Sequence, residues 1–169
     1  VDTINKMLNN FGNKYDADIK SGAENLGRSM HDIVTIASLI EREAQRGDER
    51  ARIAGVIYNR LFHWDYPALL NIDAAIIYAQ DGVSDHIDTS LDSPYNTYLH
   101  TGLTPTPIAN PGLASLQAAL NPESHNYYYY VLNPATGMHQ FSTTQEEHEQ
   151  YRAQFAAAAA ATATQSEGE

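Results

Sequence analysis

Ser29-Met30-His31-Asp32-Ile33-Val34-Thr35-Ile36-Ala37-Ser38-Leu39-Ile40-Glu41-Arg42-Glu43 is the stretch from which the fold is best read. Ser29 and Asp32 stand three apart, the spacing of a capping box, in which each side chain bonds the other's backbone N–H. Ile33, Ile36, Ala37 and Ile40 then recur at helical spacing and predict a helix from about Asp32 to Arg46. Gly47 and Asp48 break it. Ile53, Val56, Ile57 and Leu61 predict a second helix, so the two make a helical hairpin. At roughly 100° per residue, Glu41 and Glu43 leave the first helix about 160° apart and cannot both face one cleft. Glu43 falls in the apolar stripe, whereas Glu41 sits at its edge beside Val34, Ala37 and Ala44, where small neighbours leave room for a ligand. A carboxyl at the margin of an apolar wall has a raised pKa, which suits a general acid. The alternative pairs Glu43 with Arg50 or Arg52 and makes Glu41 ordinary surface. Spacing alone leaves both open, structural ion pairs being the commoner use of such residues.

Upstream, Ile4, Met7, Leu8 and Phe11 predict an amphipathic helix, after which the pattern is lost in the polar run Asn13 to Gly27. Downstream, Trp64 to Gly112 is rich in Pro, Asn, Asp, Thr and Tyr, with one short apolar cluster, Ala74 to Ala79, that predicts a brief helix. A loop region this long is either disordered or functional, and its aromatic and apolar residues favour function. Asp73 is either a second carboxylate or the cap of that brief helix. Pro111-Gly112 starts a helix carrying Leu113, Leu116 and Leu120. Tyr127 to Leu132 and Met138 to Ser142 read as antiparallel strands joined by a turn at Asn133 to Gly137. In such a strand two of the rings Tyr127 to Tyr130 enter the core and two face outward. Thr143 with Glu146, or Thr144 with Glu147, caps a last helix through Ala156 to Ala161, and Thr162 to Glu169 reads as a frayed tail.

The expected fold class is therefore α+β: a helix-rich single domain with a helical hairpin, a long functional loop region and a small antiparallel β-hairpin. With 169 residues, 43% of them hydrophobic, the chain suffices for one core. The expected organisation is an N-terminal helix and polar linker over 1–30, a remnant of an upstream region, a catalytic domain over 31–155, and an Ala-rich helix end and tail over 156–169.

Composition narrows the chemistry. There are no cysteines, so thiol catalysis and thiolate metal sites are excluded. Of 10 Lys and Arg and 21 Asp and Glu, nine of each lie by Arg60, leaving Arg152 as the single basic side chain against 12 acidic ones. That imbalance argues against nucleic acid, whose phosphates demand clustered cations. The seven histidines show no HExxH or close pairing, so no metal site is expected. Phosphate-binding Gly-rich loops and nucleophile elbows are missing too. Ser93-Pro94-Tyr95-Asn96-Thr97-Tyr98 holds the aromatic faces, amides and hydroxyls that sugar sites use, though these are also ordinary turn residues.

Several blocks occur in order: Ile36-Ala37-Ser38-Leu39-Ile40-Glu41-Arg42-Glu43, Val56-Ile57-Tyr58-Asn59-Arg60-Leu61, Ser93 to Tyr98, Gly102-Leu103, Pro107-Ile108-Ala109-Asn110-Pro111-Gly112, Ala119-Leu120-Asn121-Pro122 and His139-Gln140-Phe141-Ser142. Together, over about Asp32 to Tyr151, they resemble the catalytic domain of endolytic murein transglycosylases, the YceG-like family. The resemblance implies an enzyme without cofactor that cuts nascent peptidoglycan glycan strands on the outer face of the bacterial cytoplasmic membrane, near the cell-wall synthesis machinery. It also implies an upstream membrane helix as anchor and a small LysM-like domain. Carried over by position, the first glutamate of the family's Glu-x-Glu pair falls on Glu41 as catalytic acid, with Glu43 as structural partner. Asn71, Asp73, Tyr95, Asn96, Thr97, Asn110 and His139 become the expected glycan contacts. Two departures stand out, Asn71-Ile72-Asp73-Ala74 for the family's Gln-x-Asp-Pro and Thr104-Pro105-Thr106 for Pro-Pro-Gly.

The implied reaction cleaves the β-1,4 bond between N-acetylmuramic acid and N-acetylglucosamine without water. The muramyl 6-hydroxyl attacks its own anomeric carbon and leaves a 1,6-anhydromuramyl end. One carboxyl group suffices as acid and then base. The competing readings are a hydrolytic muramidase using Glu41 and Asp73, since ordinary glycosidases need two carboxylates, and an inactive glycan-binding domain.

Overall fold

The structure is a computed structural model that describes residues 2–14, 17–62, 69–82 and 86–166. Among these, seven α-helices and one two-stranded antiparallel sheet follow in the order α1 (Asp2–Lys14), α2 (Ala17–Asn25), α3 (Met30–Glu43), a 3-10 turn (Gly47–Glu49), α4 (Arg50–Phe62), α5 (Asp73–Ala79), α6 (Leu113–Leu120), β1 (Tyr129–Asn133), β2 (Met138–Ser142) and α7 (Gln145–Ser166). This is the α+β domain that the patterning predicts. The predicted loop region's residues 64–68 and 83–85 and the last tail residues, 167–169, lie outside the described residues. None of the described helices is long and apolar enough to cross a membrane.

The predicted capping box opens α3: Asp32 N donates to Ser29 Oγ and Ser29 N to Asp32 Oδ2, each at 3.1 Å. The helix ends at Glu43, short of Arg46, because Ala44 turns to an extended ψ of 107°. Its burial exceeds the single stripe that the spacing predicts. Thr35, Ile36, Ala37, Ser38, Leu39 and Ile40 are all 0% exposed, with α2, α4, α5 and α6 packed around them. Ser38 satisfies its own hydroxyl inside this cylinder, donating to Thr35 O (2.7 Å) and accepting from Ile108 N (3.0 Å). A buried hydroxyl without such partners would cost about 1–3 kcal/mol. The same bond ties the loop before α6 to α3, and His31 Nε2, donating to Pro105 O at 3.0 Å, ties it again one face-repeat earlier.

The polar run after α1 contains a helix the pattern does not announce. Among its described side chains α2 buries Ile19 and Ala23, two positions four apart, which is too little periodicity to stand out, and it packs on α3 and α6. On α1, Ile4, Met7 and Leu8 stay 62–63% exposed, while the side chain of Phe11 lies outside the described residues. Helix α4 carries the segment leading to the sheet. Glu123 N donates to Ala51 O (2.8 Å), His125 Nε2 to Arg52 O (2.9 Å), and Asn59 Nδ2 to the carbonyls of His125 (2.9 Å) and Tyr127 (2.8 Å).

The hairpin pairs Tyr129 with Ser142 through Asn133 with Met138. Of the four tyrosines, Tyr127 and Tyr130 pack against the core, so two rings do enter it. They do not alternate, because β1 begins only at Tyr129. Thr144, not Thr143, forms the box that starts α7: its Oγ1 accepts from Glu147 N (3.2 Å) and its N donates to Glu147 Oε2 (3.4 Å). The helix runs on to Ser166, through residues read as tail, and rests on both strands.

Gly55 is where α4 and the 123–125 segment meet: a Cβ there would stand 2.3 Å from Glu123 O and 2.5 Å from His125 Nε2. A backbone oxygen cannot swing aside as a side chain can, so Gly55→Ala should lower stability by about 2–3 kcal/mol. Urea unfolding with an unchanged midpoint would contradict this contact.

Candidate active site

A cavity of about 760 Å³ lies between the end of α3, the start of α5, the hairpin and α7. Glu43 lines it from α3, Arg60 from α4, Asn71 and Asp73 from the start of α5, and Tyr98 from the loop that follows. Tyr128 to Leu132 and His139 contribute from the sheet, and Gln145, His148, Glu149 and Arg152 from α7.

Glu43 is part-exposed as a residue, yet its carboxyl end is enclosed. Tyr130 Oη donates to Glu43 Oε2 at 2.8 Å. Enclosure pushes its carboxyl above the usual carboxylate range; the bond from Tyr130 opposes this, the Asp73 charge adds to it, and His139 and the Ala74 N–H oppose it. Asp73, the first residue of α5, accepts from Tyr98 Oη at 2.6 Å, and desolvation followed by that bond drives the Tyr98 hydroxyl well up. Asn71 reaches the cavity through a left-handed backbone, φ 51°, and its N donates to Thr97 O at 3.1 Å. Arg60 brings a part-buried cation, held by Tyr128 O and Leu70 O at 2.5 Å each. His139 is fastened from behind by Glu49, whose Oε1 accepts the His139 backbone N (2.7 Å) and whose Oε2 meets Nδ1 (3.0 Å).

Glu41 has a different setting. Its Oε2 accepts from Ser115 Oγ at 2.6 Å and from Gly112 N at 3.1 Å, while Ser115 Oγ accepts from Arg50 Nε at 3.1 Å. The bond from Ser115 holds the Glu41 carboxyl below the usual range, assisted by Gly112 N–H and Arg50 and opposed by partial burial. The raised carboxyl expected at Glu41 is thus reversed, and the feature belongs to Glu43. Gly112 is the N-cap residue of α6 and has no side chain to cap with, so Glu41 supplies the acceptor from another helix. Glu41 is not among the residues lining the cavity.

The other expected contacts divide in the same way. Asn71, Asp73 and His139 line the cavity, whereas Tyr95, Asn96, Thr97 and Asn110 do not. Asn96 is 0% exposed and spends its amide on the loop itself: Nδ2 donates to Thr89 O (3.0 Å) and Leu91 O (2.8 Å), and Oδ1 accepts from Tyr98 N (2.9 Å). Thr97 Oγ1 accepts from Ile72 N at 2.9 Å and thereby holds Asn71 to Asp73 in place. Tyr95 stacks on Tyr78 with centroids 5.1 Å apart and bonds Thr106 through its hydroxyl. Asn110 is exposed.

A family model described as the YceG-like family matches residues 1–154. The chain belongs to the YceG-like family. The endolytic murein transglycosylase of Bacillus subtilis is 39% identical over 146 residues, 85% of this chain and 38% of that protein. That of Streptococcus pneumoniae is 37% identical over 143 residues, 80% of this chain and 25% of that protein. A solved YceG-like protein of Listeria monocytogenes superposes with a TM-score of 0.72 at 38% identity, over 80% of this chain and 44% of that one. This YceG-like chain therefore spans less than half the length of each of these relatives.

Sequence reasoning missed Tyr130, Arg60 and Glu49 at the YceG-like site. Arg60 carried a signal, as the last basic residue before an almost wholly acidic stretch. Tyr130 lay hidden in a run of four tyrosines, and nothing local ties Glu49 to a histidine 90 positions away.

Two outcomes test this geometry. Asp73→Asn removes a negative charge that raises Glu43, so the Glu43 titration should move to lower pH, as carboxyl ¹³C NMR would register; an unmoved titration would separate the two groups. Asn96→Ala strands two carbonyls and an amide of the loop and should cost about 2–3 kcal/mol on chemical unfolding. An unchanged unfolding midpoint would free Asn96 for ligand binding.

Proposed function

We propose that this chain is the catalytic domain of an endolytic murein transglycosylase in which Glu43, rather than Glu41, is the general acid. The observation that carries the assignment is the enclosed Glu43 carboxyl, raised in pKa and oriented by Tyr130, facing a cavity with room for a glycan strand. Family membership and the names of the Bacillus and Streptococcus relatives support the substrate. Glycan strands are assembled outside the cytoplasmic membrane, so the domain would act on that membrane's outer face, beside the machinery that makes them.

In this mechanism protonated Glu43 donates to the glycosidic oxygen as the bond between N-acetylmuramic acid and N-acetylglucosamine breaks through an oxocarbenium-like state. The muramyl 6-hydroxyl closes on the anomeric carbon and gives the 1,6-anhydro end. Because the nucleophile is already attached to the substrate, the protein's task is to orient the sugar and keep water out. The aromatic wall of Tyr98, Tyr129 and Tyr130 suits sugar faces, and Asn71 and Asp73 suit their hydroxyl and acetamido groups. Glu41 acts in the scaffold, as the acceptor that starts α6.

A second reading, hydrolysis, draws support from Asp73, which puts another carboxylate in the same cavity where an ordinary glycosidase would keep its nucleophile or base. Mass spectrometry of digested, uncrosslinked strands separates the two, since anhydromuramyl ends mean transglycosylation and reducing ends mean hydrolysis.

Glu43→Gln should reduce cleavage by about 10²–10⁴-fold, the share of a general acid, while the protein stays folded. Burial raises the folded pKa of Glu43 above its unfolded value, so wild type loses stability as pH rises through that raised value. Glutamine does not titrate, and at pH 8 the variant's melting temperature should equal or exceed that of wild type. Glu41→Gln should instead lower the melting temperature near neutral pH, a deficit that vanishes as pH falls through the lowered pKa of Glu41. Cleavage by Glu43→Gln within tenfold of wild type would remove it as the acid.

A further inference from the structure

We infer that His139, held by Glu49, is a second proton-transfer group of the same site, accepting the proton of the muramyl 6-hydroxyl while Glu43 supplies the proton of the leaving group. The inference rests on the transglycosylase reading and adds a residue to it. Glu49 and His139 are joined twice, through the backbone N at 2.7 Å and through Nδ1 at 3.0 Å, and their side chains are 3% and 6% exposed. A carboxylate accepts only, so the ring nitrogen facing Glu49 carries the proton, and Nε2 is left as the acceptor. His139 lines the same cavity as Glu43, and its ring stands edge-on to Tyr130, centroids 5.4 Å apart, whose hydroxyl holds Glu43.

The two proton tasks fall at different atoms, the glycosidic oxygen and O6, and Glu43 Oε2 is engaged by the Tyr130 hydroxyl. A second group lets O6 lose its proton while the leaving group gains one. An imidazole backed by a buried carboxylate suits that task, because the imidazolium that forms is compensated on its far side. The Glu43 proton goes to the glycosidic oxygen as its bond to the anomeric carbon breaks. The bond from muramyl O6 to that carbon forms, and the O6 proton passes to His139 Nε2. Afterwards the imidazolium releases one proton to solvent and Glu43 takes one up. Glu49 touches no reacting atom and is a positioning residue.

The test uses His139→Gln and Glu49→Gln in the intact domain, with kcat, KM and product ends measured on uncrosslinked glycan strands. Loss of the base slows ring closure and lets water compete. His139→Gln should therefore lower kcat about 10²-fold, with KM within threefold, and raise the fraction of reducing ends. Glu49→Gln should move both in the same direction by less, and free imidazole should restore part of the rate to His139→Ala. Wild-type kcat and product ends in a folded His139→Gln would overturn the inference. Should the variants not fold, ¹⁵N spectra of the imidazole in wild type still decide: a bare Nε2 at pH 8 is expected, and a protonated Nε2 overturns it. A wild type that releases no anhydromuramyl ends would sink the transglycosylase reading itself, which is a different result.

Discussion

Everything else in this domain depends on the enclosure of α3. A helix whose residues from Thr35 to Ile40 all lose their solvent contact must be wrapped, and the wrapping is done by α2, α4, α5 and α6 together. Its charged groups are confined to its ends. In its last turn Glu41 and Glu43 emerge on opposite sides and meet the packed interior. One carboxylate is used to start α6 and the other is left against a cavity. The physics sorts them by partner: donors around Glu41 stabilise its charge, and enclosure around Glu43 opposes it.

The loop from Ser93 to Gly112 shows a division of labour that its composition conceals. Its hydroxyls and amides look like sugar-binding groups, but Asn96, Thr97 and Tyr95 bond chain to chain, and the bonds of His31, Ser38 and Glu41 lace residues 105–112 along α3. What reaches the cavity from this region is Tyr98, steadied because Asn96 holds its backbone. The loop is functional as a mount.

Local order was legible wherever one short rule governs it. The Ser29–Asp32 box and the hairpin turn follow from spacing and turn chemistry, and the structure agrees with them. Helix geometry also separated Glu41 from Glu43 correctly. Choosing between them needed the far side of the cavity, and that side comes from Tyr98, Tyr130 and His139, whose positions are set by tertiary packing. On a helix with one apolar stripe the apolar face is the closed one. On a helix buried all round, the cavity opens beside that face, and the residue nearest the core is the one whose charge enclosure opposes. α2 escaped notice for a related reason, since two buried positions are too few to show a period.

The bonds that shape the cavity join residues far apart in the chain: Tyr130 to Glu43 across 87 positions, His139 to Glu49 across 90. High contact order of this kind makes closure slow and late, because distant segments must meet before their contacts reward the lost freedom. During synthesis Glu43 on α3 therefore leaves the ribosome long before Tyr130, whose hydroxyl bonds it. A chain truncated before the hairpin keeps Glu43 and has no cavity around it, so whatever this cavity does must wait for the last part of the domain to arrive.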